Sequence, residues 1–424
     1  MKDLTAKYCF KSTMLTSFFL ASFLFIYNPC YANFKITLKL ENCKLGLKCY
    51  LAQDLHALVI GNVIDSTLAG AKGVFILQGK VERPQRLQIF ISDTKKTARS
   101  SPVIFLFVEN SDITITANLN DIPKFNAWAL ADYPYPYLAT DTVYAAINIK
   151  GSSSQTLFSK YCNKKSAFQI NLAKAKRNYY KYLKSLDTNT NGSISTGIKL
   201  IRPIDSLNTV YREFLVSFIG QNKNSSVALL VAQRNVNIFS QKESKKILWG
   251  LTIGQPSSVE MNELAQNIEN HNKNALGAKY PDYLLEDTLG KKVLLSQFIA
   301  EKKKYVLLEF WASWRGPCRK DIPHLKTAYN LYKTAGFEIV AISVDENKEK
   351  WKKAIKEDET SWQHLIDPKG FQSDDLLMSS YQISGIPASI LISPNGEIVD
   401  LDMRESWLDR HLIELFGNRF GPLY

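Results

Sequence analysis

Histidine and cysteine are scarce in this sequence, whose 424 residues include five histidines and six cysteines. The histidines have no spacing typical of metal ligands, so we predict no metal site. We also find no glycine-rich phosphate loop, no nucleophile elbow and no pair of catalytic carboxylates. The sequence therefore gives no motif for nucleotide, serine-type or metal-assisted chemistry, and we expect no cofactor. His324 follows a predicted helix start and is expected at the surface.

No segment after residue 32 is long and apolar enough to span a membrane. The N-terminus differs, because Met14–Tyr27 is apolar and uncharged, follows three lysines, and precedes small residues at Cys30 and Ala32. This pattern predicts a secretory signal at residues 1–32, cleaved after Ala32. An uncleaved membrane anchor is the alternative, but the run is shorter than the ~20 residues of a spanning helix. We therefore expect an exported protein of the periplasm or cell envelope.

The sequence also lacks a basic groove with interleaved aromatic residues. The full chain has 53 basic and 40 acidic side chains; residues 1–32 hold three lysines and one aspartate, which leaves 50 and 39, a net charge of +11. The lysines are scattered and mixed with asparagine. This distribution indicates a solvated surface, so we predict no nucleic-acid partner.

Four cysteines remain after residue 32. They are Cys43, Cys49, Cys162 and Cys318. Cys43 and Cys49 flank a five-residue segment between two apolar runs, where a hairpin would bring them together. Because export favours oxidation, we predict a Cys43–Cys49 disulfide; the alternative is two free thiols on neighbouring strands.

Residues 33–150 have the pattern of a β-domain. Phe34–Leu40 and Leu87–Ile91 alternate apolar and polar residues, as half-buried strands do, and Val103–Val108 is an apolar run of strand length. The segments between these predicted strands contain glycine and proline, which are typical of turns. We predict an all-β, sandwich-like domain.

Residues 151–272 change to a helical period and form a predicted helical connector domain. One helix would carry an apolar stripe between an N-cap at Asp205 and an end near Gly220. We see no catalytic constellation here. Further helices are predicted at Lys174–Leu186, Ser225–Asn235 and Val259–Asn270.

Residues 273–424 alternate strands and helices. A buried strand, Tyr305–Phe310, leads directly into a helix over Pro317–Ala335, and Phe337–Val344 is the next buried strand. Asn395-Gly396 joins two later strands as a hairpin turn. This order suits a mixed sheet with helices on both faces, so we predict an α/β domain.

Four stretches of this last domain resemble the thioredoxin superfamily and, within it, the exported TlpA- and ResA-like thiol-disulfide oxidoreductases of the redoxin type. They are YVLLEFWASW from Tyr305, GPCRKDIP from Gly316, YQISGIP ending at Pro387, and ILISPNGEI from Ile390. The resemblance covers residues 275–424 and implies a thioredoxin fold. Residues 33–150 loosely resemble the β-domain that precedes it in secreted TlpA-like proteins.

In working members of the family, two cysteines at a helix start exchange thiols and disulfides. The first attacks as a thiolate stabilised by the helix N-terminus, and the second resolves the mixed disulfide. The resemblance assigns Cys318 to the resolving cysteine, Glu309 to the buried acid that transfers protons, and Pro387 to the cis proline of the cleft. The other predicted cleft residues are Trp311, Trp314, Arg315, Gly316, Pro317 and Ile386.

Arg315 stands where the resemblance expects the attacking cysteine. A guanidinium cannot attack a disulfide or form one, so ordinary dithiol exchange at Arg315 and Cys318 is excluded. Cys318 would be either an inert core residue or a lone thiol. A single-cysteine peroxidase fits poorly, because the pattern P-x-x-x-[ST]-x-x-C meets Trp311 and Arg315 at its proline and hydroxyl positions.

Two hypotheses about function follow. The first is a cell-envelope TlpA-type protein that is impaired or inactive in dithiol exchange. The second is a non-catalytic, peptide-binding or chaperone-like protein that receives an extended segment beside Pro387 by β-augmentation, with Arg315 holding a carboxylate. Arg315 would otherwise lie in water without a ligand. The predicted partner is a protein or peptide at the cleft, and the oligomeric state stays open.

Overall fold

The computed structural model describes residues 33–421 except residues 45, 56–58, 93–100, 123–146, 187–193, 255–257, 300–302, 368 and 371–375. The predicted signal segment, residues 1–32, lies outside the described residues. Residues 33–424 form one compact unit. Within the described ranges, no helix has the length and apolar character needed to cross a bilayer.

The first region consists of two four-stranded sheets, ordered β4-β1-β7-β8 and β3-β2-β5-β6. Apolar side chains from both sheets pack between them into one core. The strands are β1 (Phe34–Glu41), β2 (Lys48–Leu55), β3 (Val59–Leu68), β4 (Val74–Gly79), β5 (Gln85–Ser92), β6 (Val103–Val108), β7 (Asp112–Asn118) and β8 (Ile147–Lys150).

The second region is helical. Its helices are α1 (Ser153–Leu186), α2 (Ile194–Gln221), α3 (Ser226–Arg234), α4 (Gln241–Gly254) and α5 (Val259–Asn272). They share an apolar core to which Phe107 of β6 contributes, so the helices pack directly on the second sheet.

Strand alternation is confirmed in β1, whose residues alternate between buried and exposed. It is wrong for β5, where every residue from Leu87 to Ser92 is buried. The outer face of this sheet is covered, because Phe90 stacks on Tyr50 at 4.7 Å and Phe107 of the neighbouring strand packs on Phe158 of α1. Burial on both faces removes the pressure for polar residues on one of them.

Two helix predictions need correction. Helix α1 begins at Ser153, well before the predicted start at Lys174. Contacts with the first region hold its first turn, because the Glu109 carboxylate accepts hydrogen bonds from that turn and Phe107 N–H donates to the Gln155 side chain at 2.7 Å. Asp205 lies inside α2 and not at its N-cap, and its carboxylate accepts hydrogen bonds from the third region.

The third region is a seven-stranded mixed sheet with helices, ordered β10-β9-β13-β12-β11-β14-β15. The elements of this third region are β9 (Leu284–Asp287), β10 (Lys292–Leu294), α6 (Ser296–Ile299), β11 (Tyr305–Trp311), α7 (Gly316–Tyr332), β12 (Phe337–Ser343), α8 (Lys348–Asp358), β13 (Gln363–Ile366), α9 (Leu376–Ser380), β14 (Ala388–Ile392), β15 (Ile398–Leu401) and α10 (Glu405–Phe416). The predicted fold class is confirmed for all three regions.

Strand β11 is the interior strand that positions the site. It pairs in parallel with β12 and antiparallel with β14, and from Val306 onward it is buried. Strand β13 was not predicted, because Gln363–Ile366 is too short to show a period. Helix α10 lies between the regions: Trp407 Nε1 donates to Asp205 of α2 at 2.9 Å, and Tyr179 of α1 bonds Glu405 at 3.2 Å.

The predicted Cys43–Cys49 disulfide is absent from the structure, where both residues are free thiols. Cys49 lies on β2 and is fully buried in the core between the sheets. The Cys43 thiol donates instead to the carbonyl of Lys44 at 3.5 Å. The expected hairpin is also not formed, because β1 and β2 belong to different sheets and do not pair with each other.

Candidate functional site

A buried aspartate fixes the loop that follows β11. Asp345 accepts from the Ser313 backbone N–H at 2.8 Å and from the Ser313 hydroxyl at 2.7 Å. Ser343 also donates to this carboxylate at 2.7 Å. Since Asp345 is 1% exposed, these bonds form in a low-dielectric setting and hold the loop firmly. The start of α7 is thereby set against the end of β12.

Helix α7 begins on this loop with Arg315 as its N-cap residue. Gly316 and Pro317 occupy the first turn and are exposed, and proline at this position suits a helix start because it has no N–H to satisfy. Cys318 follows with its backbone N–H donated to the Arg315 carbonyl at 3.0 Å.

The Cys318 side chain points into the core and is 0% exposed. Burial raises the pKa of its thiol to about 12; a backbone hydrogen bond at Ala312 acts in the opposite direction, while the charges of Glu309 and Asp321 raise it further. The thiol therefore stays protonated at neutral pH, although it lies in the first turn of a helix, where a thiolate is usually favoured.

The Arg315 side chain reaches across the cleft to the segment that precedes β14. Its Nε donates to the Ile386 carbonyl oxygen at 3.1 Å. The Ile386–Pro387 peptide bond is cis, as the sequence motif implies. The structure thus brings Arg315 together with Ile386 and Pro387 through a hydrogen bond across the cleft.

The segment carrying Ile386 is tied to the rest of the molecule. Gln382 Nε2 donates to the Asn270 carbonyl of α5 at 2.7 Å, and the Tyr381 hydroxyl donates to the Pro281 carbonyl at 2.6 Å. Gln382 takes a left-handed backbone conformation, with φ of 52°. One side of the cleft is therefore held by the helical region.

The two tryptophans predicted in the cleft differ in exposure. Trp314 is 59% exposed beside Arg315, whereas Trp311 is 2% exposed and packs in the core, 6.1 Å from the ring of His364. Burial lowers the pKa of His364 to about 4, so this imidazole is neutral at physiological pH. Only Trp314 can contact a ligand in the cleft.

Behind α7 lies a cavity of about 10 Å³, enough for about one water molecule. Glu309 of β11 lines it and is 7% exposed. Burial raises the pKa of Glu309 to about 8; the charge of Asp321 raises it as well, and that of Arg404 lowers it. Glu309 is therefore largely protonated at neutral pH.

Two charged pairs lie at this cavity, which Glu405 also lines. Asp321 of α7 binds Arg404, with Oδ2 and Nη2 2.6 Å apart, and His324 Nε2 lies 2.8 Å from Asp409 Oδ1 of α10. Burial acts against a charged His324, but the hydrogen bond and the charge of Asp409 outweigh it and raise the His324 pKa. His324 lines the cavity and is partly exposed, so its predicted surface position is only partly correct, because α10 packs against one side of it.

The sequence interpretation missed Asp321, Arg404 and Asp345. Asp321 could have been found, because it lies three residues after Cys318 and shares its helix face. Arg404 has no local signal. Among the described residues, no three histidine, cysteine, aspartate or glutamate side chains are placed to share a metal ion.

Two family models match the chain. The AhpC/TSA family covers residues 276–401, and the Domain of unknown function (DUF4369) covers residues 34–158. The second match coincides with the two sheets and the start of α1, and the first with the seven-stranded sheet.

Curated relatives match the same C-terminal part. Thiol-disulfide oxidoreductase ResA of Bacillus subtilis is 34% identical over 123 residues, which are 29% of this chain and 64% of that protein. ResA of Geobacillus kaustophilus is 30% identical over 141 residues, 32% of this chain and 76% of that protein. The chain thus spans less than two thirds of the first relative's length.

Solved structures also align with this part. The thioredoxin domain of a thiol-disulfide oxidoreductase from Bacteroides vulgatus is 37% identical, with a TM-score of 0.31, and covers 34% of this chain and 98% of that domain. The C-terminal domain of a Bacteroides thetaiotaomicron protein, described as a thiol-disulfide oxidoreductase, is 31% identical, with a TM-score of 0.32, over 34% and 97%.

Proposed function

The chain belongs to the family of ResA-like thiol-disulfide oxidoreductases, and from this premise we propose that it uses the family's cleft to bind a protein segment without performing dithiol exchange. The observation that carries the proposal is the pair of side chains at the start of α7: Arg315 stands where the attacking thiol would be, and Cys318 is fully buried with its pKa raised to about 12.

A thiol with this pKa is about one part in 10⁵ thiolate at pH 7, and the thiolate is the species that attacks. The residue that would have to attack first, Arg315, carries a guanidinium, which is not a nucleophile. The single-cysteine peroxidase alternative meets the same obstacle, since a peroxide must reach an ionised sulfur. The site therefore favours binding over redox chemistry.

The exposed part of the cleft supports a binding role. Trp314 offers a large apolar surface, and Arg315, Gly316 and Pro317 are exposed next to it. Exposed tryptophan and arginine side chains are enriched among residues that dominate protein interfaces. The partner in this proposal is an extended protein or peptide segment.

The proposal also covers where the protein is located and how its chain is divided into domains. The apolar, uncharged segment at Met14–Tyr27 and the small residues before Asn33 support export to the periplasm or cell envelope. The changes of element type after Lys150 and after Asn272 support three domains, at residues 33–150, 151–272 and 273–424.

Insulin-disulfide reduction tests the catalytic half of the proposal. We expect no turnover above buffer for the protein itself, and measurable turnover for Arg315→Cys, because Pro317, Cys318 and Pro387 are already in place. The matched control is the double variant Arg315→Cys/Cys318→Ser, which should lose the restored activity. Turnover by the unmodified protein at the rate of Arg315→Cys would refute the proposal.

A further inference from the structure

We propose that Arg315 is a pre-oriented receptor for a carboxylate group of the bound segment, held through the two Nη atoms of its guanidinium. This inference rests on the proposed binding function and names the chemistry of its ligand. It goes beyond a general preference for acidic partners, because the contacts of Arg315 specify which of its atoms are available.

The anchoring contact uses one particular donor. A guanidinium has five N–H groups, which form one fork through Nε and a neighbouring Nη and a second fork through both Nη atoms. In the structure Nε donates to the Ile386 carbonyl at 3.1 Å. The side fork is thereby occupied, and the end fork through Nη1 and Nη2 is left for a bidentate carboxylate.

Among the residues that the structure describes, no carboxylate forms an ion pair with Arg315, although other arginines of this region, Arg319 and Arg404, do have acidic partners. Glu309 is buried behind the helix and is not such a partner. The positive end of the α7 dipole adds to the unpaired charge, so the guanidinium and the helix dipole would both stabilise an anion at this point.

The anchor itself is fixed in space. Ile386 is buried, and its segment is tied to α5 and to the residues before β9 through the side chains of Gln382 and Tyr381. A side chain that is already held loses less conformational freedom when it binds a ligand. Arg315 is therefore prepared for binding before the ligand arrives.

This arrangement adds a second recognition element beside Pro387. The Ile386 carbonyl oxygen accepts from Arg315 and keeps a second lone pair with which a peptide backbone can pair. The partner is recognised by its carboxylate at Arg315, with Trp314 providing apolar contact beside it. The carboxylate is either an acidic side chain or a free C-terminus, and the two sources are distinguished by experiment.

The test measures binding of fluorescein-labelled heptapeptides of valine and threonine by fluorescence anisotropy. One peptide carries a central glutamate and an amidated C-terminus, the second replaces that glutamate by glutamine, and the third has the glutamine and a free C-terminus. We expect the first or the third to bind at least about tenfold more tightly than the second, which identifies the source of the carboxylate.

Variants of the protein assign the effect to Arg315. Arg315→Gln should abolish the preference, and Arg315→Lys should not restore it, because an ammonium keeps the charge but has no fork. Lys292→Gln, on the edge strand β10, removes one positive charge far along the sheet and should leave the preference unchanged. Arg315 is exposed, so its variants should keep the fold, which circular dichroism verifies.

NMR of the arginine side chains gives a readout that does not depend on affinity. We expect the Arg315 Nε–H signal to persist on binding and only the Nη signals to shift. Equal binding of all three peptides, no binding of any of them, or loss of the Nε–H signal would each overturn the inference. Equal binding of the three peptides would leave the proposed function intact. The proposed function is refuted separately, if the unmodified protein reduces insulin at the rate of Arg315→Cys.

Discussion

Replacing Glu309 by glutamine should make the protein less sensitive to pH. Glu309 lies on the central strand β11 behind α7, and its pKa is raised from 4.5 to about 8, mainly by burial. In the unfolded chain the carboxyl ionises near 4.5, but in the folded protein it stays protonated until about 8. The stability that the acid contributes is therefore present below pH 4.5 and is lost as the pH rises toward 8.

The size of the effect follows from the two pKa values. Each pH unit between them costs about 1.4 kcal/mol of unfolding free energy, because the unfolded state releases a proton that the folded state keeps. Between pH 5 and pH 7.5 the wild-type protein should lose about 3 kcal/mol through Glu309. Glu309→Gln has nearly the same shape and no ionisation, so its own cost is the same at both pH values.

Urea unfolding of both proteins at pH 5 and pH 7.5 measures this difference. Tryptophan fluorescence is a suitable signal, because five of the seven tryptophans lie within residues 273–424. We expect the variant to gain about 3 kcal/mol relative to wild type on going from the lower to the higher pH. The absolute cost of a buried amide cancels from this comparison.

A second variant checks the cause. Arg404 lowers the pKa of Glu309, so Arg404→Gln should move the titration of the Glu309 carboxyl to higher pH, as followed by its carbon NMR signal. If the stability difference between wild type and Glu309→Gln changes by less than about 1 kcal/mol between the two pH values, the carboxyl ionises near its ordinary value in the fold. The argument from burial would then be refuted.

Three further outcomes are expected. Cys318 should react with a thiol reagent only after urea unfolding at pH 7, and fast labelling of the folded protein would contradict its burial. His324→Gln should destabilise the protein more at pH 6 than at pH 9, because the raised pKa of His324 gives stability below 6.5 that is lost as pH rises through the folded value. Gly197→Ala should destabilise the protein, since its Cβ would lie 2.1 Å from Ser406 Oγ, and thermal melts should show partial rescue by Ser406→Gly.

Local sequence signals accounted for most of the third region and for the cleft. The apolar strand at Tyr305–Phe310 and the glycine-proline pair after Arg315 mark the strand and the helix start without reference to the rest of the chain. The Asn395-Gly396 pair marks the last hairpin for the same reason. These features were predictable because each depends on residues that are close in sequence.

The remaining features depend on residues that are distant in sequence. Asp321 meets Arg404 across 83 positions, and Gln382 meets Asn270 across 112, so no period or spacing reports either contact. The early start of α1 was missed because contacts with β6, not helical propensity, hold its first turn. The hairpin expected around Cys43 and Cys49 was wrong, because a short segment between two strands does not show whether they pair or enter different sheets.

The position of β1 has a consequence for how the chain folds. This strand is inside its sheet, where Phe34 pairs with Gly79 and Lys35 pairs in parallel with Asp112. Synthesis at 5–20 residues per second completes β1 on the order of 10 s before β7 exists, so the edge of β1 that pairs with β7 stays unpaired during that time, whereas β4 is completed earlier. Lys35 and Lys39, which are exposed in the sheet, place charges along that waiting strand and oppose its aggregation with other chains.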